Sequence, residues 1–98
     1  MKKYAVDANQ SEIVAYARAL GFSVAITAKL GQGFPDIVMG KNGINYMIEI
    51  KDGKKPPSQR KLSEPEQKFH DAWRGQICIV ESCADIDKLY VETIQKNN

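Results

Sequence analysis

Three residues in the middle of this chain have types and spacing that suit a divalent cation and a phosphate: Asp36, Glu49 and Lys51. Taken singly they say little. A Pro-Asp pair is ordinary turn chemistry, and Glu-x-Lys at the end of an alternating strand is ordinary for a solvated face. What joins them is register. Asn42-Gly43 is a strong two-residue hairpin signal. With that turn Lys41 pairs with Ile44, and counting outward sets Asp36 opposite Glu49. Opposed residues share a face, with Cβ atoms about 5 Å apart. Lys51 follows Glu49 by two residues and projects from the same face. Two facing carboxylates repel, and a bound cation relieves them; oxygen ligands of this kind suit Mg²⁺ or Mn²⁺. The carbonyl of Ile50 lies between Glu49 and Lys51 and is a further candidate ligand. Such a cation polarises a phosphoryl oxygen and lowers the pKa of a bound water. Lys51 is placed to orient or help deprotonate that water and to offset developing negative charge. A three-residue turn would put Asp36 on the other face and dissolve the arrangement.

The elements around this hairpin follow from periodicity and punctuation. Asp7 is expected to cap a first helix, with Gln10 reaching back, and Ile13, Tyr16, Ala17 and Leu20 recur at helical spacing before the stop at Gly21. The run from Phe22 to Ala28 alternates strictly, so a strand is expected with Phe22, Val24 and Ile26 on its buried face. Pro35 to Gly40 and Ile44 to Lys51 form the hairpin strands. Ser63 and Glu66 make a capping box for a helix with Pro65 in its first turn and an apolar face of Phe69, Ala72 and Trp73, ending at Gly75. Gln76 to Glu81 reads as a fourth strand, and Ser82 caps a last helix carrying Ile86, Leu89, Tyr90 and Ile94. The order αβββαβα predicts an α/β or α+β domain with a mixed sheet.

A length of 98 residues supports one core. No apolar run approaches the roughly 20 residues of a bilayer span. The N-terminus has no apolar stretch after its lysines, so no signal peptide is expected and a cytoplasmic location is. Cys78 and Cys83 do not make a CxxC motif and are expected to be thiols, Cys78 in the core. Net charge is only +2, which does not announce a nucleic-acid binder. Clustering says more: Lys54, Lys55, Arg60 and Lys61 follow the Glu49 strand and are candidates for DNA phosphate contact. His70 is expected on the surface or partly packed, and Trp73 in the core.

Gly33-Phe34-Pro35-Asp36, then Glu49-Ile50-Lys51-Asp52-Gly53, then Leu62 through His70 resemble the VRR-NUC family, the virus-type replication-repair nucleases of the PD-(D/E)xK superfamily. The resemblance runs from the first helix to the last strand and implies one restriction-endonuclease-like nuclease domain over residues 1–98. It implies that Asp36 and Glu49 are metal ligands, that Lys51 is the catalytic lysine, that Glu12 on the first helix joins the metal site, and that Gln67 contacts the scissile phosphate. The implied activity is metal-dependent hydrolysis of DNA phosphodiesters. Stand-alone members of this size resemble Holliday-junction resolvases. Resolving a four-way junction takes two nicks, and a two-fold homodimer brings two sites to a substrate of matching symmetry. A flap or unspecific duplex as substrate, and a non-catalytic DNA-binding module, stay open as alternatives.

Overall fold

The computed structural model describes residues 9–96. Asp7, expected to cap the first helix, lies outside them. The chain folds as α1 (Gln10–Ala19), β1 (Ser23–Ile26), β2 (Ile37–Lys41), β3 (Ile44–Ile50), α2 (Glu64–Ala72), β4 (Ile77–Val80) and α3 (Cys83–Lys96), with single 3₁₀ turns at Ala28–Leu30 and Pro57–Gln59. The strands form one sheet in the order β1-β2-β3-β4. Its first two pairings are antiparallel and the last is parallel. A parallel neighbour needs a crossover, and the segment carrying α2 supplies it. The mixed sheet and the αβββαβα order are those expected.

The hairpin register is the expected one. Asn42 and Gly43 have φ of 55° and 80°, the left-handed pair that a two-residue turn requires. Lys41 therefore pairs with Ile44, and Ile37 with Ile48. β3 is one of the two inner strands, and Tyr46 through Ile50 are all buried. On one face Tyr46, Ile48 and Ile50 join Ile37, Met39 and Val80 beneath Ile13, Val14 and Ala17 of α1 and Ile86 and Leu89 of α3. Burying each such aliphatic side chain stabilises the fold by about 1.5–3 kcal/mol. Tyr16 donates to Asp87 at 2.6 Å and Tyr46 to Glu92 at 2.9 Å, which ties α3 to α1 and to β3. The opposite face of β3 buries Met47 and Glu49. Above that face α2 joins the preceding loop through Phe34 and Phe69, edge to face at 5.1 Å.

Five local expectations need correction. β1 ends at Ile26, and Ala28 already belongs to a 3₁₀ turn, because Pro35 on the facing chain has no N–H to extend the ladder. Ile26 is left 56% exposed on this edge strand. α2 stops at Ala72, before Gly75; Trp73 has turned extended, and its ring stacks on Phe69 at 5.5 Å. Trp73 is 44% exposed and so is not core. On α3 the inward stripe runs Ile86, Leu89, Tyr90, Thr93, and Ile94 is mostly outside it. Thr93 can be buried because its hydroxyl donates to the Tyr90 carbonyl at 2.7 Å. Among the described residues no helix is long and apolar enough to cross a membrane.

Candidate active site

Asp36 sits just before β2, and its backbone is held on both sides. Its N–H donates to the Ile48 carbonyl at 2.9 Å, and its carbonyl accepts from Thr27 N–H at 2.8 Å. Its carboxylate Oδ2 accepts from the Ile50 N–H at 2.7 Å. Asp36 is thereby fixed at the end of β3 that carries Glu49, Ile50 and Lys51. Lys51 is held along the strand by its N–H, which donates to Val80 O at 3.0 Å. Its ammonium lies 3.7 Å from Glu49 Oε2 and 2.9 Å from Glu66 Oε1.

Glu66 was not among the residues expected in the site. Its position was legible as a capping box, and that box is present: Ser63 Oγ accepts from Glu66 N–H, and Glu66 Oε1 accepts from Ser63 N–H at 2.8 Å. The same Oε1 also accepts from Lys51. One carboxylate thus starts α2 and holds the lysine. The approach depends on Gly33. It has φ of 83°, and a Cβ there would run into the Pro65 carbonyl, so a side chain would push the loop off the first turn of α2.

The electrostatics of Glu49 are unusual. Its side chain is only 4% exposed, and Oε1 is buried with no hydrogen-bond partner. Burial raises its carboxyl well above the ordinary range, Asp36 and then Glu66 raise it further, and Lys51 only partly offsets them. Glu66 goes the other way. Burial alone would raise it, but the Ser63 N–H and Lys51 hold it below its ordinary value. His70, one turn further along α2, is half-buried with Nε2 lacking a partner, and burial lowers its pKa.

Two carboxylates with one orphaned oxygen fit a divalent cation, which would supply charge to Glu49 and a partner to Oε1 at once. Among the described residues no three or more His, Cys, Asp and Glu are arranged to hold a metal, so a cation here would need further oxygens from the backbone, an amide or water.

The remaining expected residues lie elsewhere. Glu12 is exposed and lines a cleft of about 650 Å³ with Asn9, Asp52, Glu81, Cys83 and Asp85; it is not in the Asp36–Glu49 cluster. Gln67 is exposed and donates Nε2 to Asp71 Oδ1 at 2.8 Å. Lys54, Lys55 and Lys61 are exposed on the loop after β3. Arg60 Nη1 donates to both carboxylate oxygens of Glu81 at 3.2 Å, so its charge is engaged within the protein.

No protein-family model matches the sequence, and no curated protein matches it. Among solved structures, one described as a VRR_NUC domain matches with a TM-score of 0.60 and 23% sequence identity, covering 86% of this chain and 95% of that one. At that identity the likeness establishes the fold: this chain has the architecture of that domain.

Proposed function

We propose that this chain is a VRR-NUC-type nuclease, a Mg²⁺- or Mn²⁺-dependent DNA endonuclease acting on branched DNA as a homodimer. The observation that carries the reading is Glu49, a buried carboxylate opposed by Asp36, with one oxygen orphaned and a lysine 3.7 Å from the other. A purely structural carboxylate would be relieved by its neighbours, whereas this one is raised by two of them.

Asp36, Glu49 and the Ile50 carbonyl would hold the cation, which when bound supplies Lewis-acid polarisation of a phosphoryl oxygen and a water of lowered pKa. Lys51 lies between Glu49 and Glu66. From there it orients the attacking water and offsets the negative charge that grows on the phosphate. Glu66 fixes the ammonium through a side chain that is itself fixed by the helix cap. Gln67, in the first turns of the same helix, is available to the scissile phosphate once its bond to Asp71 is exchanged. Lys54, Lys55 and Lys61 supply exposed positive charge for the flanking backbone. A homodimer places two such sites on a two-fold substrate.

The test is incubation of the purified protein with labelled four-way junction, flap and linear duplex DNA, with Mg²⁺ or Mn²⁺, beside Lys51→Ala. Paired junction nicks that vanish in the variant are expected. Light scattering should give a dimer at micromolar concentration; a monomer counts against junction resolution. Cutting of another substrate replaces the junction reading, and binding without cleavage of any DNA replaces the nuclease reading by a DNA-binding module.

A further inference from the structure

Trp73 is the chain's one tryptophan, and it is 44% exposed. Its ring is nevertheless held. One face lies nearly parallel to Phe69, with 13° between the planes and centroids 5.5 Å apart. The indole N–H edge lies against Gly75, where a Cβ would come within 2.8 Å of Nε1. An aromatic surface fixed from behind and exposed in front is a stacking platform. Its sequence neighbours Asp71, Ala72, Arg74 and Gly75 are all exposed, and none is a large apolar residue. Along the chain the patch is therefore one ring wide, which suits a single flat partner better than the broad apolar centre of a protein interface. Lys68 and Arg74, both exposed, flank the Phe69–Trp73 pair in sequence and offer charge to phosphates. The nearby carboxylate of Asp71 is engaged by Gln67 at 2.8 Å.

The platform stands at a set reach from the candidate site. Glu66, which holds the Lys51 ammonium at 2.9 Å, is in the first turn of α2, and Trp73 follows the last residue of that helix. A rise of about 1.5 Å per residue puts the two about 10 Å apart along the axis. Phe69, between them, meets Phe34 edge to face at 5.1 Å, and Phe34 leads directly into Pro35-Asp36. Nucleotides stacked along one strand repeat at about 3.4 Å, so ring and ammonium are about three nucleotides apart. We infer that Trp73 is a base-stacking site, which takes an unpaired base about three nucleotides from the phosphate that is cut. Bases inside a duplex keep their faces stacked on one another; at a branch, a flap or a gap a face is free to meet a ring. The inference rests on the nuclease reading and deepens it: Trp73 gives that site its preference for branched over linear DNA.

The experiment follows the fluorescence of Trp73 in the full chain, with Ca²⁺ in place of Mg²⁺ to keep the DNA whole. The probes are a forked DNA with short thymidine tails and a blunt duplex of the same length. The fork should quench the fluorescence, as stacking on a base does, and the duplex should bind with much less quenching. Anisotropy of labelled DNA then reads affinity in two variants. Trp73→Leu still covers Phe69 but has no aromatic face. It should weaken fork binding about ten- to a hundredfold, the worth of one stacked base, and change duplex binding less than about twofold. Trp73→Phe should recover most of the loss. Thermal melts show whether each variant is folded; if Trp73→Leu is not, the quenching of the parent and the affinity of Trp73→Phe decide. Equal quenching by fork and duplex, quenching by neither, or equal fork affinity in the parent and Trp73→Leu overturns the inference. So does a spectrum that shifts with protein concentration and not with DNA, which assigns the ring to an interface between two copies of the chain. If junction nicks form in Mg²⁺ while the fork leaves the fluorescence unchanged, only this inference falls. If DNA is neither bound nor cut, the nuclease reading falls and the inference with it.

Discussion

Two charged clusters lie at the same end of the sheet, one at the end of β3 and one just after β4, and they are built on opposite terms. Around Glu81 the polar groups answer one another. The carboxylate takes Arg60 on both oxygens at 3.2 Å, the N–H donates to Asp85 Oδ2 at 2.8 Å, and the carbonyl accepts from Asn9 and Gly53. Arg60 Nε is the atom there that lacks a partner. Around Glu49 the carboxylate is more deeply buried and faces Asp36, and Lys51 is closer to Glu66 than to Glu49. Satisfied clusters stabilise; unsatisfied ones persist where surrounding structure enforces them and a ligand completes them. By that standard the Glu81 cluster belongs to the architecture, and the Glu49 cluster is the one proposed for the chemistry.

The sharpest way to break this contrast is to remove one cation from each cluster. Lys51→Met should lower DNA cleavage by about 10²–10³-fold, the scale of losing one transition-state charge partner. The fold should survive, because β3 is held by its ladder and its core face. Arg60→Met should leave the turnover rate near that of the parent. Single-turnover cleavage assays at saturating DNA check both. Equal losses in the two variants would mean that the clusters do not divide as argued.

A second intervention acts on neither cluster directly. Gly33→Ala puts a methyl group against the Pro65 carbonyl, at a residue with φ of 83°. The strain should cost about 1–3 kcal/mol, visible as a shift in the denaturation midpoint. The first turn of α2 must also move, and Glu66 with it, so cleavage should fall further than stability explains. Gly43→Ala is the control: its φ is 80°, but a Cβ there meets nothing within 4 Å. It should lose stability and keep cleavage.

How much of this was legible in the sequence follows the range of the forces involved. The hairpin register was readable because Asn42-Gly43 restricts the turn to a local geometry, and Asp36, Glu49 and Lys51 then follow by parity. The Ser63–Glu66 box was readable for the same reason. Its second use was not: that Glu66 Oε1 reaches Lys51 depends on how α2 docks, which a four-residue motif does not contain. Glu12 and Gln67 came from resemblance, and the structure places one in a separate cleft and the other against Asp71. Trp73 was misplaced because ring hydrophobicity says nothing about where a helix ends. Gln10 looked like a capping residue of α1; its burial depends on the crossing of α1 over the sheet.

The raised Glu49 pKa makes the comparison testable without DNA. A carboxyl whose folded pKa exceeds its unfolded value favours the folded state at low pH, and that contribution is lost as pH climbs from the unfolded value of about 4.5 through the raised one. Metal-free protein should therefore melt lower at pH 8 than at pH 6. Glu49→Gln should flatten this slope and raise the metal-free melting temperature at pH 8 by a few degrees. Mn²⁺ should stabilise the parent more at pH 8 than at pH 6, because the cation competes with a proton for Glu49. Thermal melts at the two pH values, with and without Mn²⁺, check all three. A slope that survives in Glu49→Gln would assign it to another group and remove the unsatisfied carboxylate from the argument.

The smallest expected effects separate the basic residues of the loop, which the sequence had grouped together. Arg60 is bound to Glu81 with both side chains about one-third exposed or less, so Arg60→Ala should cost about 0.5–1 kcal/mol of stability. It should leave the salt dependence of DNA binding almost unchanged. Lys61→Ala should do the reverse. An exposed lysine contributes little to folding, but if it neutralises a phosphate its loss lowers the slope of log affinity against log salt by about one. Binding titrations at several salt concentrations, paired with denaturation curves, read both quantities. If Arg60→Ala changes the salt slope as much as Lys61→Ala does, the arginine leaves Glu81 when DNA arrives, and the cluster after β4 is a reserve of positive charge instead of a fixed brace.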